Sequence, residues 1–272
     1  MRFAVPSLAM LLVAACTSVQ DAPPAGREYG VQLYHLREQM AADPLGTLRR
    51  VKRAGFDSVE YVGTYSVPQE RLCAETRSLG LDVAAVHADW RQLRDDPAAA
   101  VASAKAACAD TIMLAWIPPE ERQTLDQWRE WIGYLNVAAR EAKEQGLAFA
   151  YHPHDFEFVA IDGVRPIDLM LAEFDPLIAF ELDTYWAQKG GQDPLEFLRE
   201  NEGRITHLHL KDYAGDGSMA DVGSGTLDFP AILAEARRQD VRHYIVERDD
   251  APDVWESLAN SLDSLRAMPL QR

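Results

Sequence analysis

The sequence predicts a single-domain α/β protein in which residues 29–268 form a closed (β/α)8 TIM barrel. Short apolar runs alternate with helical segments eight times along this part of the chain. Alternating β and α elements build a parallel sheet, and eight pairs in about 240 residues are typical of a closed barrel. No glycine-rich phosphate-binding turn follows the first run, which argues against a doubly wound dinucleotide-binding sheet.

The predicted strands are short and mostly apolar, as expected for strands that are buried on both faces. Glycine, proline and aspartate separate them from the helices. Their bounds are Gly30–Tyr34, Ser58–Tyr61, Val83–Val86, Thr111–Ala115, 147–152, 178–182, 205–210 and Tyr244–Glu247.

A helical segment follows each predicted strand, and several of these begin at an Asp-Pro pair or stop at a glycine. The longest, 119–145, repeats apolar residues at three- and four-residue steps and therefore has one apolar face. The predicted helices are Leu45–Ala54, Pro68–Leu79, 96–109, 119–145, Ile167–Phe174, 193–200, Phe229–Arg238 and Val254–Arg266.

The start of the chain has the composition of an export signal. A basic residue, a short apolar core and small residues predict a signal peptide over residues 1–15, which is too short for a permanent membrane span. Val13-Ala14-Ala15-Cys16 resembles the lipobox of bacterial lipoproteins, which implies lipid on Cys16. Thr17 in place of aspartate implies an outer-membrane anchor that faces the periplasm, and a plain signal peptide is the alternative. Residues 16–28 are polar and proline-rich and predict a flexible tether.

Two more cysteines, Cys73 and Cys108, lie in predicted helices. An oxidising compartment permits a disulfide between them. Because the sequence alone does not place the two helices side by side, we expect two buried free thiols.

The net charge of −16 limits the partners of the protein. Nucleic-acid binding depends on neutralisation of phosphates by Lys and Arg, so we expect no nucleic-acid partner. Membrane contact is expected only through the lipid at Cys16. The oligomeric state stays open between a monomer and a homo-oligomer.

Four ionisable residues, His152, Asp183, His209 and Glu247, each follow a predicted strand. The intervals between them are 31, 26 and 38 residues, each about one strand, one helix and their loops. Neighbouring parallel strands end on the same side of a barrel, so these side chains should converge there. Two imidazoles and two carboxylates suit a divalent metal ion.

Other polar and aromatic residues are predicted at the same end of the barrel: Gln32, Glu60, His87, Trp116, His154, Glu157, Lys211 and Arg248. A single strand-end histidine, such as His87 or His207, more often makes a structural hydrogen bond. The prediction of a site therefore rests on the four residues together. Asp193 is expected to cap a helix, and Asp249-Asp250 is expected to be a solvated loop pair.

Several motifs resemble those of the sugar phosphate isomerase/epimerase family, which has a xylose-isomerase-like barrel. They are Gly30-Val31-Gln32-Leu33-Tyr34, Gly55-Phe56-Asp57-Ser58-Val59-Glu60, Tyr151-His152-Pro153-His154-Asp155-Phe156-Glu157-Phe158, Glu181-Leu182-Asp183-Thr184-Tyr185-Trp186, Gly203-Arg204-Ile205-Thr206-His207-Leu208-His209-Leu210-Lys211-Asp212, Val222-Gly223-Ser224-Gly225 and Val246-Glu247-Arg248-Asp249.

The resemblance implies one divalent ion, Mn²⁺ or Co²⁺ before Mg²⁺ or Zn²⁺, held by Glu, Asp, His and Glu. Asp183, His209 and Glu247 match the last three ligands. His152 stands where many relatives have Glu, and Glu157 lies five residues further on, so the fourth ligand is open between these two.

The resemblance also implies a function on a small carbohydrate. The expected activity is sugar isomerisation or epimerisation through an enediolate. The expected catalytic residues are Glu247, Glu157, His154 and Lys211, and the expected substrate contacts are His87, Trp116, Trp186 and Arg248. Export favours a substrate without phosphate.

Three other functions remain open. The first is a lyase or dehydratase that acts on 3-keto-glycosides or inososes. The second is a metal-dependent phosphodiesterase, which the acidic charge disfavours. The third is a non-catalytic, sugar-binding lipoprotein.

Overall fold

A computed structural model describes residues 28–63 and 65–269 of the 272-residue chain. The predicted signal peptide over 1–15, the lipidated Cys16 and most of the 16–28 tether lie outside the described residues.

Eight parallel strands close into a barrel in the order β1-β10-β7-β6-β5-β4-β3-β2, which confirms the predicted fold. The strands are β1 (Gly30–Gln32), β2 (Ser58–Val62), β3 (Asp82–His87), β4 (Thr111–Leu114), β5 (Ala148–Tyr151), β6 (Ile178–Asp183), β7 (Ile205–Leu210) and β10 (His243–Val246). A small antiparallel hairpin, β8 (Asp212–Tyr213) and β9 (Met219–Ala220), follows β7.

Helices surround the barrel. They are α1 (Arg37–Ala42), α2 (Pro44–Ala54), α3 (Gln69–Ser78), α4 (Trp90–Asp95), α5 (Pro97–Ala106), α6 (Leu125–Gln145), α7 (Pro166–Glu173), α8 (Thr184–Lys189), α9 (Pro194–Glu200), α10 (Phe229–Arg238) and α11 (Val254–Ala267). At the predicted Asp-Pro starts of α2, α5 and α9, an aspartate side chain accepts a backbone N–H of the first turn. Within residues 28–63 and 65–269, no helix combines the length and apolar character that a membrane span needs.

The structure adds elements that the sequence did not indicate. The helices α1, α4 and α8 have six residues each, too few for a 3.6-residue period to stand out. The strands β8 and β9 have two residues each, too few for an alternating pattern to show. The predicted helix 119–145 is divided. A 3-10 turn covers Pro119–Glu121, and α6 begins only after Thr124, which forms a capping box with Gln127.

The large apolar side chains lie mainly between the outside of the barrel and the helices. Two alanines and a methionine, Ala85, Ala150 and Met113, form a separate apolar cluster. Other buried side chains of the strands are polar and contact each other across the barrel. Glu60 of β2 reaches His209 of β7, and His87 of β3 reaches Glu181 of β6. The barrel interior near the strand ends is therefore polar.

The expectation of two free thiols is wrong. Cys73 of α3 and Cys108, which follows α5, form a disulfide with their Cα atoms 5.4 Å apart. The two helices pack side by side on the outside of the barrel, a placement that neither helix's own sequence encodes.

We expect the C73S/C108S variant to unfold more easily because the disulfide closes a loop of 35 residues in the unfolded chain. The free energy of unfolding should fall by about 2–4 kcal/mol in guanidinium titrations. Wild-type protein in reductant should show the same loss, and thiol trapping should label Cys73 and Cys108 only after reduction. Labelling without reductant, or unchanged stability, would contradict the disulfide.

Candidate functional site

A cavity of about 670 Å³ opens at the carboxyl ends of the strands, where the functional sites of such barrels lie. Its wall combines polar residues with apolar and aromatic ones. The polar residues include His87, His152, His154, His209, Lys211, Glu247 and Asp249, and the apolar ones include Tyr34, Val62, Ala88, Trp90, Trp116, Phe156 and Trp186.

Three of the predicted metal ligands meet beside this cavity. One nitrogen or oxygen atom from each of His152, Asp183 and His209 lies within 4.8 Å of the others, and all three residues are buried. Asp183 is held by the first turn of α8, where its Oδ1 accepts the N–H groups of Tyr185 and Trp186 at 2.9 Å. Its Oδ2 and His209 Nδ1 have only ionic neighbours: Oδ2 lies 3.1 Å from Lys211 Nζ, and the two atoms lie 3.6 Å from each other. Both atoms therefore face a position that could hold a cation.

Glu247 and Lys211 complete the polar side of the cavity. Glu247 Oε2 lies 3.1 Å from His209 Nδ1 and 2.6 Å from Lys211 Nζ. The fully buried ammonium of Lys211 also lies 3.1 Å from Asp183 Oδ2 and 3.2 Å from Asp249 Oδ1. Three carboxylates thus surround one cationic group, which shows that this position favours positive charge.

The pKa values of these groups reflect burial opposed by neighbouring charges. Burial alone would raise the pKa of Asp183 and Glu247, but Lys211 keeps the pKa of Asp183 below its ordinary value and that of Glu247 well below it. Burial would lower the pKa of Lys211, but Asp183, Glu247 and Asp249 raise it. The two carboxylates therefore stay ionised at neutral pH.

A second group of ionisable residues extends across the barrel: Glu60, His87, Glu181 and His209, all buried. His209 Nε2 lies 2.7 Å from Glu60 Oε2 and 3.1 Å from Glu181 Oε2. His152 Nδ1 lies 2.8 Å from Glu181 Oε2. We call Glu60, His87 and Glu181 the inner group.

The residues present fit a divalent metal ion. Imidazole and carboxylate ligands suit Mn²⁺, Co²⁺ and Zn²⁺. Asp183 Oδ2 and His209 Nδ1 are not fixed by a hydrogen bond of good geometry, although each lies 3.1 Å from a charged side chain. Burial lowers the pKa of His152, so its imidazole is neutral and keeps a lone pair. This buried cluster of glutamate, aspartate and histidine residues could hold a metal ion.

Glu157 lies apart from the cluster, although it was a candidate for the fourth ligand and for a catalytic group. Its Oε1 accepts the hydroxyl of Tyr151 at 2.5 Å, and its Oε2 accepts the backbone N–H of His154 at 2.8 Å. It is fully buried and does not line the cavity. The structure thus places His152, not Glu157, beside Asp183 and His209.

Four other predicted site residues, His87, His154, Trp116 and Trp186, line the cavity. The ring of His154 stacks on Phe156 and contacts Trp186, with centroids 5.4 and 5.1 Å apart. Its Nδ1 has no hydrogen-bond partner in the described part of the chain. Trp116 is 45% exposed and offers an aromatic face at the cavity mouth.

Arg248 was predicted to bind substrate, but the structure points it elsewhere. Its guanidinium contacts Asp221 and Asp250 at 2.9 Å, and it does not line the cavity. Asp249 was expected in solvent, yet it lines the cavity and contacts Lys211. Burial and then Glu247 raise the pKa of Asp249 to about 7.

Of the inner group, the sequence predicted Glu60 and His87 at this end of the barrel but missed Glu181. The signal for Glu181 was the alternation of polar and apolar residues in β6 and β7, where Glu181 and Asp183, and His207, His209 and Lys211, are two positions apart. Side chains two apart on a strand point to the same face, here the barrel interior.

Comparisons with known proteins agree with this geometry. The profile of the family described as "Xylose isomerase-like TIM barrel" matches residues 48–267. An inosose dehydratase of Geobacillus kaustophilus is 30% identical over 51% of this chain and 53% of its own length. One of Clostridium tetani is 32% identical over 40% of this chain and 43% of its own length. The chain thus spans about half the length of these curated relatives.

A crystal structure of a sugar phosphate isomerase/epimerase from Parabacteroides distasonis superposes with a TM-score of 0.78 and 25% identity. The superposition covers 90% of this chain and 99% of that one.

We expect Asp183→Asn to lower the affinity for Mn²⁺ by at least about 100-fold, because it removes the charge of a metal ligand. Mutation of a residue that only hydrogen-bonds to a ligand typically lowers metal affinity by about 10–100-fold, and loss of the ligand's own charge should cost at least as much. Asparagine caps helices as well as aspartate does, so the melting temperature should change little. Titration calorimetry and thermal melts measure both effects. The matched control is Asp193→Asn, because Asp193 caps α9 with the same pair of hydrogen bonds. Equal affinity losses in the two variants would contradict the assignment.

We expect Glu157→Gln to remove a pH-dependent loss of stability. Burial raises the pKa of Glu157 to about 8, so the folded protein favours the protonated form. The resulting stability is complete below the unfolded pKa of about 4.3 and is lost as the pH rises through about 8. Glutamine mimics the protonated form.

Between pH 5 and pH 9, the wild-type melting temperature should therefore fall by several degrees more than that of Glu157→Gln. Each kcal/mol lost from the free energy of unfolding lowers the melting temperature of a chain of this size by about 2–4 °C. Glu130→Gln on the exposed side of α6 is the control. Parallel melting curves of wild type and Glu157→Gln at every pH would contradict the buried proton.

Proposed function

The chain belongs to the xylose isomerase-like TIM barrel family, and from this premise we propose that it is a divalent-metal-dependent lyase. Its substrate would be a polyhydroxylated cyclic ketone, from which it removes water or another leaving group at the β carbon. By their names, the relatives described above share the broader class of enzymes that act on small carbohydrates or related polyols.

The position of Glu157 favours a lyase over an epimerase. Epimerisation needs groups that remove and return a proton on opposite faces of the sugar. This role was expected for Glu247 together with Glu157, His152 or His154, and Glu157 is the second carboxylate among them. Glu157 is instead bound to Tyr151 and to the backbone of His154. Elimination needs one base that works on one face, and the cavity offers a neutral imidazole for it.

We propose that His152, Asp183, His209 and Glu247 hold one divalent ion, with Mn²⁺ or Co²⁺ as the first candidates. When bound, the ion would polarise the ketone and favour the enediolate. Asp183 and Glu247 supply the negative charge, and His152 supplies a neutral nitrogen.

His154 is the proposed base. Burial lowers the pKa of His154 well below its ordinary value, so its ring is neutral and accepts a proton at neutral pH. It would take the proton from the carbon next to the ketone. It would then pass this proton to the departing β oxygen, so that the C–O bond breaks and water leaves.

Lys211 is proposed to stabilise the negative charge that develops on the ketone oxygen. Its ammonium is fully buried, stays charged and is fixed by Asp183 and Glu247. A fixed cation in a buried site stabilises such charge more than one in water does. Trp116 and Trp186 are proposed to cover the ring of the substrate.

The names of the curated relatives support the lyase. The matched Geobacillus and Clostridium proteins are inosose dehydratases, and a dehydratase removes water. Inososes and 3-keto-glycosides are therefore the substrates to test first.

The second candidate is a sugar isomerase or epimerase. The likeness to the Parabacteroides sugar phosphate isomerase/epimerase supports it, because that superposition covers nearly all of both chains. The two candidates share the enediolate and differ in whether a β substituent leaves.

We also propose that the protein works outside the cytoplasm, anchored to the outer membrane through Cys16. The Cys73–Cys108 disulfide supports this location because disulfides persist in oxidising compartments. Thiol trapping in intact cells tests it, and reduced cysteines would contradict it. A substrate without phosphate suits this location.

We expect the protein loaded with Mn²⁺ or Co²⁺ to convert an inosose or a 3-keto-glycoside to an unsaturated ketone. Ultraviolet absorbance and mass spectrometry would show the conjugated product and the loss of water or aglycone. His154→Phe should keep the ring packing and the Mn²⁺ affinity but lower turnover by about 10²–10⁴-fold, the usual contribution of a general base.

The same incubation in D₂O separates the candidates. Deuterium in an epimerised substrate without elimination would overturn the lyase in favour of the epimerase. If Mn²⁺ is bound but none of these substrates is eliminated or epimerised, the non-catalytic sugar-binding function would be favoured.

A further inference from the structure

We propose that Glu181 and Glu60 are positioning residues that decide which nitrogen of two metal-binding histidines faces the ion. Through them, His209 would bind by Nδ1 and His152 by Nε2. The inference rests on the metal site of the proposed function, but not on the reaction catalysed there.

The carboxylate of Glu181 contacts both histidines through one oxygen. Its Oε2 lies 2.8 Å from His152 Nδ1 and 3.1 Å from His209 Nε2. A carboxylate oxygen only accepts hydrogen bonds, so both nitrogens must carry a proton. The nitrogens left for a metal are then His152 Nε2 and His209 Nδ1. The latter lies 3.1 Å from Glu247 Oε2 and would give up any proton shared with that carboxylate when an ion binds.

Glu60 secures His209 from the opposite side of the barrel. Its Oε2 lies 2.7 Å from His209 Nε2 and also accepts the side-chain amide of Gln32 at 2.8 Å. His87 Nε2 lies 3.2 Å from Glu60 Oε2 and 3.3 Å from Glu181 Oε2, between the two carboxylates. The inner group is therefore one network that ends on the face of His209 turned away from Asp183.

The strands are irregular where these carboxylates occur. The pairing register of β2 with β3 shifts between Val59 and Glu60, and that of β6 with β7 shifts between Phe180 and Glu181. Such irregularities turn side chains to new directions and are frequent beside functional sites. Both carboxylates are thus aimed by the backbone itself.

The inner group could instead hold a second cation, because Glu60 Oε1 and Glu181 Oε1 are buried without a hydrogen-bond partner among the described residues. The hydrogen bonds favour the positioning of the two histidines over the binding of a second cation. The Oε2 atoms that face His209 already accept from Gln32 and His152, which leaves His209 Nε2 a donor.

The experiment uses the full chain loaded with Zn²⁺, a diamagnetic probe, and ¹⁵N-labelled histidine. We expect the NMR spectra to show His209 bound through Nδ1 with a proton on Nε2, and His152 bound through Nε2. Zn²⁺ bound to His209 Nε2, or two ions per chain, would overturn the proposal in favour of a metal in the inner group.

The variant Glu181→Gln tests the consequence for affinity. Loss of such an outer partner lowers metal affinity by about 10–100-fold, which calorimetry with Mn²⁺ would measure. The matched control is Glu157→Gln, an equally buried glutamate that contacts neither histidine ring, and its Mn²⁺ affinity should equal that of wild type. Equal affinities of Glu181→Gln and wild type would overturn the proposal.

Both readouts are independent of catalysis, and the NMR readout uses the wild-type protein. If Glu181→Gln does not fold, the wild-type spectra still decide between the two binding modes. If the lyase assay fails while the spectra and affinities are as expected, the proposed reaction is wrong and the positioning role stands.

Discussion

The structure depends on a surplus of negative charge inside the barrel. Glu60, Glu181, Asp183 and Glu247 are all buried, and Lys211 is the buried ammonium that faces two of them. Buried charges are costly unless they are paired and hydrogen-bonded. The strands satisfy this condition by placing histidines between the carboxylates, so the interior near the strand ends is a connected polar network.

This network explains why ionisable side chains converge beside the cavity. Strands β5, β6, β7 and β10 carry, near their carboxyl ends, ionisable residues that need each other. Aromatic side chains from both halves of the barrel, including Tyr34, Trp116 and Trp186, line the same cavity. The polyhydroxylated ring proposed as substrate would suit such a wall, because its oxygens can contact the charged groups and its carbon face can contact the aromatic rings.

Most of the fold could be predicted from the sequence, and only part of the site. Eight apolar runs fix the strands because each is buried on both faces, and the long period of α6 is unambiguous. Glu60 was predicted at the functional end of the barrel but without a role, and Glu181 was missed, because backbone irregularities direct both side chains. Arg248 and Glu157 were assigned to the cavity because sequence distance does not reveal which way a side chain leaves its loop. The link between Cys73 and Cys108 depends on helix packing, which no local pattern encodes.

Asp183 has two neighbours of different kinds, and their combination has a mechanical consequence. One oxygen holds the first turn of α8, and the other faces the position where positive charge collects. The helix that begins there carries Trp186, part of the cavity wall. A cation bound by the second oxygen would therefore pull on the carboxylate that anchors the helix bearing this tryptophan. Asp183 thus couples the proposed ion site mechanically to the shape of the cavity wall.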